Sequence, residues 1–159
     1  NDADLNDHVV IVGSGRVGAP IARELKRHNI PHLIVDQSRE RVEVLRSEGW
    51  PVLYGDASRP EVLTATRLDR ARLVLVTAPD AYQARATLAL AKQLNPSVSI
   101  AVRTHSDSER AWLESHGASY ALVSERELAV SMTRYALRCL QVEHDMTAVA
   151  ERVISPSGG

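Results

Sequence analysis

His8-Val9-Val10-Ile11-Val12, followed directly by Gly13-Ser14-Gly15-Arg16-Val17-Gly18, is the stretch that decides the fold. A short β-branched apolar run fits a strand buried on both faces. The glycine spacing G-x-G-x-x-G after it fits a tight turn that opens a helix. Gly13 permits the turn, Gly15 lets the backbone approach a phosphate with no Cβ in the way, and Gly18 allows the helix to pack closely on the strand. Ser14, Arg16 and Val17 fill the turn, whose free N–H groups point at an anion. The next apolar run, His32-Leu33-Ile34-Val35-Asp36, ends on an acid at the spacing, about 20 residues, where a carboxylate accepts ribose hydroxyls and repels a 2′-phosphate. Gln37 and Arg41 belong to the same corner. Arg39 and Arg41 are of the type that can receive a 2′-phosphate, but as solvated charges on the second helix they leave NAD(H) or an adenosine phosphate favoured over NADP. The alternative role for Asp36 is a helix N-cap beside a glycine turn that only packs.

Working outward, Val52-Leu53-Tyr54, Leu73-Val74-Leu75-Val76, Val98 to Val102 and Tyr120 to Val123 complete a set of six strands. Helical patterns lie between them, with Val17, Ile21 and Leu25 lining the first and Ala84, Leu88 and Ala91 the fourth, which Asn95-Pro96 ends. Asp36-Gln37-Ser38, Gly55-Asp56-Ala57-Ser58 and Thr77-Ala78-Pro79-Asp80 read as strand-to-helix turns carrying N-cap residues. Alternating βα units with short connections predict a Rossmann-like, doubly wound α/β fold with a six-stranded parallel sheet of order 3-2-1-4-5-6. Ligands then bind at the carboxyl edge.

The 159 residues suffice for about one domain, and 44% of them are hydrophobic and 25% charged. With 19 basic and 20 acidic side chains the formal net charge is −1, so nucleic acid is not an expected partner. No apolar run is long enough to span a bilayer. Cys139 is the single cysteine, and with no leader pattern a reducing, cytoplasmic setting is expected. The chain begins Asn1-Asp2 rather than with Met and is expected to be a piece of a longer polypeptide.

The stretch from His8 to about Ser131 resembles an RCK/KTN (TrkA-N) domain. The resemblance rests on Gly13 to Gly18, Asp36, Gly55-Asp56-Ala57-Ser58, Val76-Thr77-Ala78-Pro79-Asp80 and Ile100-Ala101-Val102-Arg103-Thr104-His105. These are cytosolic regulatory modules of potassium channels and transporters, and within the family the chain is most similar to the C-terminal domain of Kef-type potassium/proton antiporters. The resemblance implies that Gly13, Gly15, Arg16 and Val17 hold the phosphates of a nucleotide and Asp36 the adenosine ribose. Asp56 and Ala57 then border the adenine, and Thr77 and Ala78 line the far side of the crevice. For Asp56 a helix cap is the alternative, and for Arg103, near the ligand or the dimer seam in the family, a surface salt bridge. His105 stands where glutathione-gated Kef systems have a second arginine, so glutathione-adduct sensing is not implied.

Catalytic constellations are not found. No tyrosine is followed four residues later by lysine, the six histidines show no metal-ligand spacing, and neither a G-x-S-x-G elbow nor a G-x-x-x-x-G-K-[ST] loop occurs. Hydride transfer also needs a substrate site usually supplied by a second domain. The expectation is therefore a non-enzymatic, adenine-nucleotide-binding regulatory domain controlling potassium or another monovalent cation in a cation/proton antiporter. It would be joined to a membrane transport domain at the cytoplasmic face of the inner or plasma membrane. The alternatives are a fragment of an NAD-dependent oxidoreductase and a stand-alone Trk-type potassium-uptake subunit.

After the sixth strand, Leu128, Met132, Tyr135, Cys139, Val142, Met146, Val149 and Val153 recur at alternating spacings of four and three. One helix over 125–154 is expected, about 38 Å from Leu128 to Val153 at ~1.5 Å per residue. With a second apolar face of Ala129, Ala136 and Leu140, it would pack on its own sheet with one side and on another chain with the other. The resemblance implies a crossover helix exchanged within a homodimer; docking wholly in cis is the alternative. Expected organisation is thus a nucleotide-binding domain over 1–124, a dimerisation helix over 125–154 and a disordered tail over 155–159.

Overall fold

The computed structural model describes residues 4–78 and 80–154. The expected tail 155–159, Pro79 and residues 1–3 lie outside the described residues.

Six parallel strands, β1 (Val9–Val12), β2 (His32–Asp36), β3 (Val52–Tyr54), β4 (Leu73–Val76), β5 (Ser99–Thr104) and β6 (Tyr120–Val123), form one sheet of order β3-β2-β1-β4-β5-β6. The predicted order is the observed one. Strand β5 runs two residues past the predicted Val102, because Arg103 and Thr104 still pair with Leu122 and Val123. β1 pairs with β2 on one side and β4 on the other, with Val12 opposite both Val35 and Val76. The turns after β1, β2, β3 and β4 therefore emerge at one edge, where the strand order reverses between β1 and β4.

Two layers of helix cover this sheet. Helices α3 (Pro60–Ala65), α4 (Ala81–Leu94) and α5 (Asp107–Ser115) bury Leu63, Leu88 and Leu113 against Val10, Val74, Ile100 and Val102. On the opposite face α1 (Gly18–Arg27) and α2 (Arg39–Ser47) cover Val9, Ile11 and Ile34. The buried contacts of α1 are Gly18 and Ala22, whereas Val17, Ile21 and Leu25 flank them half-buried. On that face Leu73, Leu75, Ala101 and Leu122 also remain half-buried.

The C-terminal stripe departs from expectation. It is divided into α6 (Ser124–Cys139) and α7 (Met146–Ile154) rather than forming one helix over 125–154. The break is a Schellman turn: Gln141 is left-handed at φ 54°, its N–H donates to Arg138 O, and the Val142 N–H donates to Leu137 O. Asp145 then caps α7, its carboxylate accepting from the Thr147 N–H at 2.9 Å. The inward residue of α6 is Val130, with Thr133 and Leu137 half-buried. Of the second apolar face Ala129 is half-buried and Ala136 and Leu140 are exposed, as are Leu128, Met132, Tyr135 and Cys139 of the stripe.

Candidate functional site

At the carboxyl edge, the glycine turn is held from three sides. The Gly13 N–H donates to Val35 O at 2.8 Å, and the Thr77 hydroxyl donates to Val12 O at 2.9 Å and Gly13 O at 3.2 Å. Gly13 has φ +103°, and a Cβ there would lie 2.7 Å from Thr77 Oγ1. A Cβ on Gly18 would lie 1.9 Å from Gly13 O, which is the close helix–strand approach that its position predicts. Gly15 differs: the nearest atom to its Cβ position is Arg41 Nη1 at 4.0 Å. Among the described residues nothing requires glycine there. Among the described residues none accepts a hydrogen bond from the N–H groups of Gly15, Arg16 or Val17, at the positive end of α1.

Asp36 is 3% exposed, and both its oxygens are engaged. Oδ2 accepts the Ser14 N–H at 2.8 Å and the Ser14 hydroxyl at 2.5 Å. Oδ1 accepts the Ser38 N–H at 2.7 Å and Arg41 Nη2 at 3.2 Å. Burial pushes its pKa up, but the Ser14 hydroxyl, the two backbone N–H groups and Arg41 together hold it below the ordinary aspartate value. Asp36 is not the N-cap of α2; Ser38 is, accepting from the Arg41 N–H.

Two cavities meet over this corner. One of about 220 Å³ is lined by Gly13, Ser14, Gly15, Arg16, Val17, Arg41, Thr77, Ala78 and Arg103, nine of the fourteen candidate residues. The other, about 60 Å³, is lined by Val12, Gly13, Val35, Asp36, Gln37, Arg41, Gly55, Ala78 and Gln83. Arg103 is tied back by its Nε, which donates to Ser124 Oγ at 2.9 Å, and by Nη1 to Thr77 O at 3.4 Å, linking β5 to the β4 turn and to α6. It forms no salt bridge among the described residues.

Across the smaller cavity, Asp56 Oδ1 accepts the Ser58 N–H and hydroxyl and the Gln83 amide at 3.0 Å. Burial raises its pKa, but Ser58, Gln83 and the charge of Arg59 hold it below the ordinary value. Asp56 thus closes a local turn and does not cap α3, whose N-cap is Arg59. Ala57 packs in the core with no exposure, and its side chain does not reach the cavity; Gly55 and Gln83 line it instead. The candidates cluster at one edge, except that Gly18 serves packing and Ala57 the core, and Asp56 lines neither cavity.

A glycine turn with unpaired N–H groups, an acid on β2, Asp56 after β3 and an arginine on β5 is a combined arrangement that can be compared with known proteins. The TrkA-N domain model matches residues 9–124. The chain belongs to the TrkA-N family. It is 34% identical over 129 residues, 81% of its length, to the putative cation/proton antiporter YbaL of Escherichia coli, and spans 23% of that relative. The crystal structure of the TrkA-N domain of the E. coli inner membrane protein YbaL superposes with TM-score 0.80 at 33% identity, covering 83% of this chain and 98% of that one. A Shewanella denitrificans Kef C-terminal domain, solved in AMP-bound form, superposes with TM-score 0.73 at 26% identity, covering 91% and 86%. The GsuK channel bound to NAD shares the fold, with TM-score 0.74 at 20% identity, covering 80% of this chain and 23% of that one.

Two features of this TrkA-N domain escaped the sequence reading. Gln83 reaches Asp56 across 27 positions; its only signal was its place three residues after the N-cap Asp80, which accepts from the Gln83 N–H. His105 is paired through Nδ1 with Glu125 Oε1 at 2.7 Å, a contact that holds the Glu125 carboxyl below its ordinary value. Among the described residues there is no cluster of three or more potential metal ligands, and no helix is long and apolar enough to cross a membrane.

Proposed function

We propose that this TrkA-N domain binds an adenine nucleotide at the carboxyl edge of its sheet. Through that binding it regulates transport of potassium or another monovalent cation by a cation/proton antiporter of which it is a part. The observation that carries this reading is the cavity over Gly15, floored by unpaired N–H groups and bordered by the side chains of Arg16, Arg41 and Arg103. It fits a phosphate, because N–H groups at a helix start and guanidinium forks both stabilise anions. The adjoining cavity at Asp36, Gln37, Gly55 and Gln83 has the position and hydrogen-bonding groups for an adenosine moiety. NAD(H), AMP, ADP and ATP are the candidate ligands; the buried negative charge of Asp36 disfavours the 2′-phosphate of NADP. Kinship with YbaL and with an AMP-bound Kef domain supports the same ligand class and the transport role.

Binding without turnover is the proposed activity. Among the described residues the polar neighbours of the glycine turn are the Ser14 and Thr77 hydroxyls and the Asp36 carboxylate, all spent on hydrogen bonds, and the arginines. The proposed setting is the cytoplasmic face of the inner or plasma membrane, with the membrane transport domain of the same polypeptide as partner. A second copy of this chain is the other partner. Its seat is supported by the apolar face of α6, where Met132 and Tyr135 are 65% and 68% exposed beside Leu128 and Cys139. A nucleotide that binds one dimer geometry better than another shifts the population toward it by its differential affinity.

Calorimetric titration with NAD, NADH, AMP, ADP and ATP tests the ligand class, with saturable binding of at least one expected. No binding by any of the five would overturn the proposal. Light scattering on a chain ending at Ser124 should show a monomer where the full chain dimerises; an unchanged dimer would refute the α6 seat.

A further inference from the structure

Arg41 stands in the wall between the two cavities. It lines both, together with Gly13 and Ala78, and its guanidinium lies between the Asp36 carboxylate, 3.2 Å from Nη2, and the space over Gly15, 4.0 Å from Nη1. A nucleotide with its base in one cavity and its phosphate in the other has to pass this side chain. Asp36 adds a second constraint. Each of its oxygens already accepts two hydrogen bonds, which fills the roughly four acceptor positions of a carboxylate. A ribose diol cannot be added to such a carboxylate; it has to replace a donor already there.

The four donors are unequal. The Ser14 N–H and hydroxyl and the Ser38 N–H are short, and they are fixed to the turns they hold. The Arg41 contact is the longest of the four, and its side chain is 57% exposed. It is the one that can leave without unfolding a turn. Once released, the guanidinium has an obvious destination, because the space over Gly15 holds unpaired N–H groups and takes an anion. Arg16 and Arg103 line the same space, so a third positive charge is favoured there only beside an anion.

We infer that Arg41 is a specificity-determining residue that changes partner on binding: it is displaced from Asp36 by the ribose hydroxyls and closes on the phosphate of the same ligand. This deepens the nucleotide reading above and rests on it. The consequence is a ligand preference that neither half of the nucleotide explains alone. Adenosine displaces Arg41 and gains nothing in return, whereas AMP displaces it and supplies the new partner. The domain therefore responds to phosphorylated adenosine and discriminates against the nucleoside by more than the glycine turn would alone.

The test is the Arg41→Met variant of the full chain, which keeps the aliphatic stem and removes the charge. AMP affinity is measured by calorimetry, and adenosine affinity by NMR titration in the millimolar range. AMP should bind roughly tenfold or more weakly, the loss of one charge-assisted contact. Adenosine should bind more tightly, by up to about fivefold, because it no longer competes with an exposed ion pair. Opposite signs are the signature. If Arg41 only held the phosphate, adenosine would be unchanged; if it only supported the site, both ligands would weaken. Either result overturns the exchange. Failure of the unaltered chain to bind AMP would instead remove the nucleotide reading itself, and the two failures are therefore distinguishable.

Discussion

Replacing Gly15 and Gly18 by alanine, one at a time, separates what the ligand needs from what the fold needs within a single motif. A Cβ at position 18 would sit 1.9 Å from Gly13 O and 2.8 Å from Gly13 C, both backbone atoms. That carbonyl cannot swing aside, because Gly13 is fixed by its N–H to Val35 O and by the Thr77 hydroxyl. Relief requires moving the start of α1 off β1, so the cost falls at the upper end of overpacking penalties, about 3 kcal/mol. For a chain of this size that lowers the melting temperature by roughly 6–12 °C. At position 15 the methyl group meets nothing nearer than Arg41 Nη1 at 4.0 Å, and stability should change by less than about 0.5 kcal/mol. Ligand binding should reverse the order. The Gly15→Ala methyl occupies the approach to the N–H groups of Gly15 to Val17, and disturbing even one charge-assisted hydrogen bond, worth about 1.5–3 kcal/mol, costs tenfold or more in affinity. Thermal melts and AMP calorimetry on both variants check this. Equal destabilisation of the two, or unimpaired AMP binding by Gly15→Ala, would refute the assignment of Gly15 to the ligand and Gly18 to packing.

Three further outcomes follow from particular contacts. Asp36→Asn places an amide NH2 against donors, and urea unfolding should show a loss of about 1–3 kcal/mol at neutral pH. Because the pKa of Asp36 is lowered on folding, its contribution is present above the unfolded value and lost as pH falls through the folded one. The acid limb of the stability curve should therefore be shallower in the variant, and parallel limbs would count against the contacts described. Met132→Asp and Tyr135→Glu alter exposed positions, so thermal stability at low concentration should hold while light scattering shows a shift toward monomer. Gln141→Gly relieves a left-handed non-glycine residue at the end of α6, and a gain of up to about 1 kcal/mol is expected in chemical denaturation.

Much of the fold was legible because its strands are short apolar runs between turn residues, and the glycine turn fixes where the first helix begins. The break after Cys139 was not. The alternation of three and four continues through Val142 and Met146, so the periodicity is the same whether the chain is helical there or not. What ends the helix is a backbone conformation at Gln141, a residue type with no strong preference for it, and only Asp145 carried a start signal. At the site, residue identities were legible and their occupancy was not. Ser14 lies 22 positions from Asp36, and nothing in the sequence says that its hydroxyl and N–H take one carboxylate oxygen between them. Ala57 illustrates the same limit from the other direction: a methyl group suits a ligand contact and a core equally well, and burial decided it.

The saturation of Asp36 also bears on how a ligand can signal at all. An added contact to a free carboxylate would stabilise the site without altering what it is attached to. A contact that replaces an existing one frees Arg41 of α2 while Ser14 of the β1 turn and Ser38 keep theirs, and so alters how α2 is tied through Asp36 to the β1 turn. Both elements lie on the face of the sheet where Leu73, Leu75, Ala101 and Leu122 are only partly covered, so movement of α1 or α2 is transmitted to the side open to a neighbour. The size of the effect is bounded: a ligand shifts a two-state equilibrium only by its differential affinity for the two states. If exchange of one exposed ion pair is the whole difference, worth about 1 kcal/mol at most, the shift is about fivefold. A larger measured shift would require a second ligand contact that differs between the states, and Arg103, which bridges the β4 turn and α6 at the far wall of the same cavity, is placed to supply it.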